Sequence, residues 1–299
     1  MEAPRYRKPR GSERLMRLTG LWRLNGNTLP PAIHGRYRRY HRRAQAAMNG
    51  TAAAGDPTLA APLAKLREEG LCHLPGGIPP AAALAISERF TACIETGNPL
   101  VHRHHGGAYA LRNPLDVLGD SCLAFFDGPT GALLRQHYGS HFRIEWVDCY
   151  RTYSDAERLT SWLWHIDNIP NGCLKAMLLV TDSTRETGAM RYLPRQTSLA
   201  LRRAGYFGCR SRERKLDLSS YARRAGVSAE PRMVEAPAGD ILVFDPNNLH
   251  CGEPPERGFR DVMTFFVRPS LQPWREVYRA QGHERVHSGT GGYPPSPEL

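Results

Sequence analysis

Long apolar runs are missing from this sequence: no stretch of about eighteen consecutive apolar residues occurs, and the first residues contain no apolar segment. A helix needs about twenty apolar residues to cross a bilayer, so no membrane span is predicted. The polar start predicts no secretory signal either. The seven cysteines are odd in number and form no Cys-x-x-Cys pair, which argues against a disulfide framework or a zinc knuckle. We therefore expect a protein of the reducing cytoplasm.

Acidic residues are scarce at the start of the chain. Residues 1–50 hold twelve Lys and Arg but only two Glu, whereas the rest of the chain is nearly neutral. We expect a basic, irregular N-terminal arm over residues 1–50, of which residues 1–43 are dispensable for turnover. Four apolar residues are expected to dock part of it on the body: Leu21, Trp22, Leu24 and Leu29. The segment Arg36–Arg43 mixes cations with aromatic rings, a composition that suits contact with nucleic acid or an acidic surface. A solvated, partly helical arm is favoured over that alternative.

Helix and strand patterns divide the rest of the chain at about residue 142. Before it, Leu59–Glu69 has helical spacing and stops at Gly70, and a second helix begins at Pro79-Pro80 and ends near Thr96. After it, short segments rich in Val, Ile, Leu and aromatic residues are separated by Gly, Pro, Asn and Asp, which predicts a sandwich or barrel of strands. The predicted strands are Arg143–Tyr150, Trp162–Ile166, Leu174–Thr181, Ala189–Leu193, Arg232–Glu235, Ile241–Phe244 and Val262–Val267.

Residues 196–231 interrupt this strand pattern with a basic insertion. The segment carries eight Lys and Arg against three acidic residues, and Leu199–Arg203 and Tyr221–Ala225 have helical spacing. Because cations around a cleft attract anionic ligands, we expect a lid-like insertion that contacts an anionic substrate. The alternative is that these charges only solvate an insertion. The whole predicts one mainly β catalytic domain over residues 51–270, followed by a polar tail over residues 271–299.

The tetrapeptide at 164–167, Trp-His-Ile-Asp, ends an aromatic and apolar run with an imidazole and a carboxylate two positions apart. Alternate residues of a strand point to the same face, so His165 and Asp167 are placed to present a nitrogen and an oxygen to one metal ion. Two histidines and one carboxylate form the facial triad of non-haem Fe(II) oxygenases. His250, which follows the apolar segment at 241–244, is the candidate third ligand.

Six motifs in a fixed order give the chain a resemblance to a known family. They are Trp-His-x-Asp (164–167), Leu-Lys-x-x-Leu-Leu-Val-Thr-Asp (174–182), Thr-Gly-Ala-Met-Arg-Tyr-Leu-Pro-Arg-Gln (187–196), Gly-Asp-Ile-Leu-Val-Phe-Asp (239–245), His250 and Gly-Phe-Arg-Asp (258–261). Over roughly 57–268 the chain resembles the phytanoyl-CoA dioxygenase family of Fe(II)/2-oxoglutarate oxygenases. The resemblance implies a double-stranded β-helix, a cupin-like jelly roll with helices packed outside it.

The same resemblance implies roles for four residues. His165, Asp167 and His250 match the iron ligands, and Arg260 matches the arginine that holds the distal carboxylate of 2-oxoglutarate. A planar guanidinium suits this task because it forms a bidentate pair with a carboxylate. The implied cofactors are Fe(II), 2-oxoglutarate and O2. The implied reaction hydroxylates or desaturates an unactivated C–H bond and releases succinate and CO2; the presence of Asp167 leaves no vacated ligand position for halogenation.

Two features affect the expected cosubstrate site. Family members often carry a hydroxyl residue two positions after the distal histidine, where this chain has Gly252. The hydroxyl is therefore expected from Thr152 or Thr264, or it is absent. Lys175 is a cation inside an apolar strand, and a buried unpaired cation is unfavourable. We expect Lys175 to meet an anion near the cosubstrate pocket.

Three interpretations of function follow. The favoured one is a dioxygenase that acts on a small or carrier-linked, anionic metabolite, with substrate contacts in the loops at 97–130 and 196–231. The second is a nucleic-acid dealkylating oxygenase that uses the basic arm. Such enzymes place a second arginine six residues after the first, where this chain has Phe266. The third is a jelly-roll binding protein without catalysis, against which the complete set of ligands argues.

Overall fold

Two antiparallel sheets packed against each other form the centre of the molecule. The computed structural model describes residues 16, 18–20, 27–48, 56–103, 108–154 and 159–281. Its strands are β1 (Leu71–Leu74), β2 (Val101–Arg103), β3 (Tyr109–Leu111), β4 (His141–Tyr153), β5 (Leu174–Leu179), β6 (Arg191–Tyr192), β7 (Arg232–Met233), β8 (Ile241–Phe244), β9 (His250–Cys251) and β10 (Phe259–Ser270). The major sheet has the order β1-β8-β5-β10-β4-β3-β2 and the minor sheet the order β7-β6-β9. The fold is the expected double-stranded β-helix.

Five of the helices contribute side chains to the main hydrophobic core on one face of the major sheet. The helices are α1 (Pro31–Met48), α2 (Ala60–Glu69), α3 (Pro80–Glu95), α4 (Pro114–Leu118), α5 (Pro129–Tyr138), α6 (Arg195–Arg203), α7 (Ser219–Ala225) and α8 (Trp274–Gln281). The predictions for α2 and α3 are confirmed. Gly70 ends α2 in the left-handed conformation, with φ of 82°, which glycine adopts without a steric penalty. Pro80 begins α3, where a missing N–H costs no helical hydrogen bond.

Strands β4 and β10 separate a helix-covered face of the major sheet from a face that lines a pocket. In β4, Val147 and Cys149 belong to the main hydrophobic core together with side chains of α3 and α5. Asp148 and Tyr150, which alternate with them, line the pocket. β10 pairs with β4 along its length and alternates in the same way. Successive side chains of an extended strand point to opposite faces of the sheet, so alternate residues of β4 and β10 reach the hydrophobic core and the pocket.

The basic insertion at 196–231 packs on the body through a hydrophobic core of its own. Helices α6 and α7 contain the two segments that were predicted to be helical. Their apolar side chains cluster with Phe207 and Trp164. The chain between the two helices also hydrogen-bonds to the segment that carries His165. The N–H of Trp164 donates to the C=O of Lys215 at 3.0 Å, and the N–H of Ile166 donates to the C=O of Phe207 at 3.1 Å. The insertion is therefore a wall of the site region.

The N-terminal region is more regular than the expected irregular, partly helical arm, because residues 31–48 form helix α1. His34, Tyr40 and Ala44 are buried along one side of this helix, while the five arginines between 36 and 43 remain exposed. Arginine favours helices, so a basic sequence with one buried stripe folds as a helix on the body. Leu29 is buried, as predicted. Leu21, Trp22 and Leu24 lie outside the described residues.

The expected polar tail is likewise helical at its start. In α8, Trp274 and Val277 lie three residues apart and are buried, a spacing that places both on one helix face. The segment Ser288–Leu299, predicted to be disordered, lies outside the described residues. In the described part of the chain, no helix is both long and apolar enough to cross a membrane.

Candidate metal centre

His165 and His250 face each other across a short antiparallel bridge. The N–H of each residue donates to the C=O of the other at 3.0 Å, an arrangement that places two residues directly opposite, on the same face. Their ring centroids are 4.3 Å apart. The predicted strand Trp162–Ile166 is shorter than expected, since only Trp164 and His165 form bridges, after a 3₁₀ turn at Thr160–Trp162. This bridge is sufficient to bring the two imidazoles together.

Backbone carbonyls determine which nitrogen each imidazole offers. Nδ1 of His165 lies 2.8 Å from the C=O of Leu163, and Nδ1 of His250 lies 2.8 Å from the C=O of Asn248. A carbonyl oxygen only accepts hydrogen bonds, so each Nδ1 carries the proton and each Nε2 keeps a free lone pair. Metal-binding histidines in proteins are commonly oriented by such a hydrogen bond.

Asp167 completes a three-residue cluster. Its Oδ1 lies 3.6 Å from Nε2 of His165, and its Oδ2 lies 3.9 Å from Nε2 of His250. One donor atom from each of the three residues lies within 4.8 Å of the others. Two neutral imidazole nitrogens and one carboxylate on one side of an ion form the donor set of a non-haem Fe(II) site. The predicted ligands are therefore together, in a geometry that fits one such ion.

The electrostatics of the cluster favour its metal-binding protonation states. Burial lowers the pKa of His165 well below its ordinary value, and burial also lowers the pKa of His250. Burial alone would raise the pKa of Asp167, but Lys175 and the two imidazoles outweigh it, and the pKa lies well below its ordinary value. At neutral pH the cluster therefore holds two neutral imidazoles and a carboxylate, the forms that bind metal.

A cavity of about 420 Å³ extends from these three residues between the two sheets. Much of its lining is apolar and comes from Trp146, Trp162, Ile169, Met177, Met190, Phe244 and Val262. Besides the three cluster residues, its charged and polar groups include Asp148, Thr152, Lys175, Arg214, Arg260 and Thr264. A cavity of this size that combines an apolar lining with directed polar groups is typical of small-molecule sites.

Arg260 places a buried cation in this cavity. Its side chain belongs to a residue only 8% exposed, and its Nε has no hydrogen-bond partner among the described residues. Burial lowers the pKa of Arg260 to about 10, although the nearby Glu253 and Asp261 oppose the shift. A buried guanidinium directed into a cavity is stabilised by an anionic ligand. The residue therefore fits the distal carboxylate of 2-oxoglutarate.

The two threonines expected near 2-oxoglutarate both line the cavity, at different places. Thr152 pairs directly opposite Arg260 in the β4–β10 ladder, whereas Thr264 pairs opposite Asp148. Because four residues of an extended strand span about 13 Å, Thr152 is the threonine beside the guanidinium.

Trp162 is a cavity residue that the sequence did not single out. A Cβ placed on Gly252 would lie 3.2 Å from Cδ1 and 3.6 Å from Nε1 of this indole, and 3.4 Å from Nη2 of Arg260. A side chain at 252 would therefore press against the indole, and the indole and the guanidinium both border the space next to Gly252. Since an indole N–H only donates, it suits an anion held by Arg260. The available signal was Gly252 itself, which stands where a hydroxyl residue was expected.

Arg214 is the residue through which the insertion reaches the cavity. Its Nε donates to the C=O of Gly208 at 3.0 Å, which holds the side chain over the pocket. Burial lowers the pKa of Arg214, and the negative charge of Asp167 partly offsets this. Arg212 and Lys215, two neighbouring cations of the insertion, are exposed and are not part of the lining.

The fold and the cluster together define a double-stranded β-helix with a candidate 2-His-1-carboxylate centre, and two solved structures share this fold. No family model and no curated protein matches the sequence. The chain is similar to the non-haem alpha-ketoglutarate-dependent carbocyclase SnoK from nogalamycin biosynthesis, with TM-score 0.53, 16% identity, and coverage of 79% of this chain and 93% of that chain. It is also similar to the epimerase SnoN, solved with Fe3+, alpha-ketoglutarate and nogalamycin RO, with TM-score 0.52, 14% identity, and coverage of 81% and 94%.

Proposed function

We propose that this chain is an Fe(II)- and 2-oxoglutarate-dependent dioxygenase similar to the phytanoyl-CoA dioxygenase family. The observation that carries the proposal is the meeting of His165, Asp167 and His250 at one end of a cavity that also contains the buried guanidinium of Arg260. The double-stranded β-helix, a fold shared with SnoK and SnoN, supports it.

Each residue of the site has a definite task in this proposal. The two Nε2 atoms and the Asp167 carboxylate hold Fe(II) from one side and leave the other side open to ligands. Arg260, with the indole N–H of Trp162 and the hydroxyl of Thr152 beside it, holds and orients the distal carboxylate of 2-oxoglutarate. When bound, Fe(II) with 2-oxoglutarate and O2 supplies the oxidising power for an unactivated C–H bond, with release of succinate and CO2. The apolar lining excludes water from the reacting carbon.

The proposed substrate is a small or carrier-linked metabolite with an anionic group, and the proposed reaction is hydroxylation or desaturation. The presence of Arg214 supports the proposal that the substrate carries an anionic group, because this arginine is the cation of the insertion that lines the cavity. The cyclisation and epimerisation named for SnoK and SnoN are alternative outcomes for a site of this kind. The structure of the product would separate these reactions.

Metal content and cosubstrate turnover test the proposal. Wild-type protein loaded anaerobically with Fe(II) should hold one iron per chain and convert 2-oxoglutarate to succinate when O2 is admitted. His165→Ala and His250→Ala should lose both properties while remaining folded. His141→Ala, at the start of β4 and outside the cavity, is the matched control and should behave as wild type. Full iron content in both ligand variants, or no iron in the wild type, would overturn the assignment.

A further inference from the structure

Residues Asn27–His34, which precede and begin α1, are hydrogen-bonded to the loop that follows Asp167. We call this segment the N-terminal brace. Asn27, Thr28, Leu29 and His34 are each no more than 2% exposed, although the sequence around them is basic and polar. Buried polar side chains persist only where their hydrogen bonds are satisfied, so the partners of the brace are informative.

Asn27 is at the centre of this contact. Its Nδ2 donates to the C=O of Ile169 at 2.9 Å and to Oδ1 of Asn171 at 3.2 Å. Its Oδ1 lies 3.2 Å from the N–H of Leu29 and 2.8 Å from Nε2 of His34. An amide oxygen only accepts, so Nε2 of His34 carries the proton and Asn27 is fixed at both ends of its side chain.

Thr28 holds the residue next to the candidate ligand. Its N–H and its hydroxyl both donate to Oδ1 of Asn168, at 2.9 Å and 3.2 Å. Asn168 follows Asp167 directly and has a φ of +56°, a left-handed conformation that asparagine tolerates better than most side chains but that still needs support. The brace thus fixes the backbone turn immediately after the carboxylate.

The same network reaches the loop that delivers the second histidine. Nδ2 of Asn247 donates to the same two acceptors as Asn27, the C=O of Ile169 at 2.9 Å and Oδ1 of Asn171 at 3.1 Å. Oδ1 of Asn247 in turn accepts from the N–H of Ile169 at 3.1 Å. Since Asn247 lies three residues before His250, the brace and the two ligand-bearing loops form one buried polar unit.

We propose that the N-terminal brace positions Asp167 relative to His250 and so sets the affinity of the centre for divalent metal. The inference rests on the proposed function, because it treats these residues as ligands. None of the brace residues lines the cavity; they act through Asn168, Ile169 and Asn171. Removing groups that orient ligands typically weakens metal binding about tenfold to a hundredfold.

Metal affinity of the full-length protein tests the proposal without turnover. Calorimetric titration with Co(II) should give about tenfold weaker binding for Asn27→Ala than for the wild type, the lower end of the range for orienting groups. Gln45→Ala is the matched control, because Gln45 lies on α1, the helix that the brace begins, and donates from Nε2 to the C=O of Tyr138 at 2.8 Å, far along α1 from the ligand loop. It should lose a comparable hydrogen bond and keep wild-type affinity.

The possible outcomes distinguish an error in the proposed role of the brace from an error in the proposed iron centre. If the wild type binds no Co(II), the proposed iron centre is wrong. If the wild type binds Co(II) and Asn27→Ala binds it as tightly, the brace has no positioning role. A loss of affinity in both Asn27→Ala and Gln45→Ala also overturns the proposal, because it reports general loosening of α1. Should Asn27→Ala fail to fold, Thr28→Val decides: it keeps the backbone donor, removes the hydroxyl and should still bind Co(II) more weakly than Gln45→Ala does.

Discussion

The ammonium of Lys175 lies 2.8 Å from Oδ2 of Asp167, the carboxylate of the candidate metal cluster. The sequence predicted that this cation in an apolar strand would meet an anion. The anion in the structure is the carboxylate of Asp167, and a contact of Lys175 with 2-oxoglutarate stays a prediction. The positive charge of Lys175 stabilises the ionised form of this carboxylate.

Replacing this lysine should make folding more dependent on metal. In Lys175→Met the carboxylate of Asp167 loses its counter-ion, and breaking a fully buried pair costs about 3–5 kcal/mol. The side chains here are 16% and 19% exposed, so we expect a loss of about 2 kcal/mol in the free energy of unfolding without metal. Added Co(II) should then raise the melting temperature of Lys175→Met by more than it raises that of the wild type. A smaller increase in the variant would contradict this role.

The family pattern and the structure predict opposite effects of Gly252→Ser on 2-oxoglutarate binding. The family pattern predicts that a hydroxyl at 252 strengthens 2-oxoglutarate binding. The structure predicts weakening, because a Cβ there would lie 3.2 Å from Cδ1 of Trp162, a tight contact that would shift the indole, and 3.4 Å from Nη2 of Arg260. We expect 2-oxoglutarate affinity to fall about tenfold, since a hydrogen bond to a charged group contributes about 1.5–3 kcal/mol. Titration of metal-loaded protein measures this, and Gly128→Ala, whose added Cβ meets no atom closer than 3.7 Å, is the control.

Two arginines of the insertion should differ in their effect on substrate. Arg214→Met removes the cation that lines the cavity and should weaken binding of an anionic metabolite about tenfold or more. Arg212→Met removes an exposed cation and should have little effect, as is usual for a single surface charge. Thermal shifts of metal-loaded protein with phosphate- and carboxylate-bearing metabolites provide the measurement. Equal effects of the two substitutions would mean that the insertion acts only through its general charge.

The brace also predicts a pH dependence of stability. Burial, with a smaller effect of Arg38, lowers the pKa of His34 from 6.5 to about 4. Between these two pH values the unfolded chain binds more protons than the folded chain. The contribution of neutral His34 to the free energy of unfolding is therefore fully present above pH 6.5 and is lost as the pH falls toward 4. The slope from this residue is at most about 1.4 kcal/mol per pH unit. Denaturant unfolding with chelator at pH 7 and pH 5 should show a smaller difference for His34→Gln than for the wild type; an unchanged difference would contradict the shift.

Local patterns were enough to predict most of the strands and the residues that meet in the candidate metal cluster. The period-two alternation in β4 and β10, the helix stop at Gly70 and the spacing of His165 and Asp167 are all encoded within a few neighbouring residues. A single antiparallel bridge between His165 and His250 brings the two imidazoles together. The strand predicted at 162–166 was too long, but this error did not affect the predicted site.

Long-range contacts could not be predicted in the same way. The bond from Asn27 to Ile169 joins residues 142 positions apart, and the apolar residues near Asn27 predicted docking on the body without identifying its partner. The composition of residues 1–50 predicted an irregular, partly helical arm, but the burial of His34, Tyr40 and Ala44 along α1 depends on contacts with the body. That residues 1–43 are dispensable for turnover stays a prediction. The closeness of Trp162 to Gly252 was missed for a related reason, because the two residues are far apart in the sequence.

Joint binding of iron and 2-oxoglutarate by His165, Asp167 and His250 can be observed by anaerobic visible absorption, because 2-oxoglutarate chelated to Fe(II) produces a metal-to-ligand charge-transfer band. We expect this band when Fe(II) and 2-oxoglutarate are added to the wild type, its loss in His250→Ala and an altered band in Asp167→Gly. Absence of the band in the wild type, or an unchanged band in His250→Ala, would show that these residues do not form the iron site.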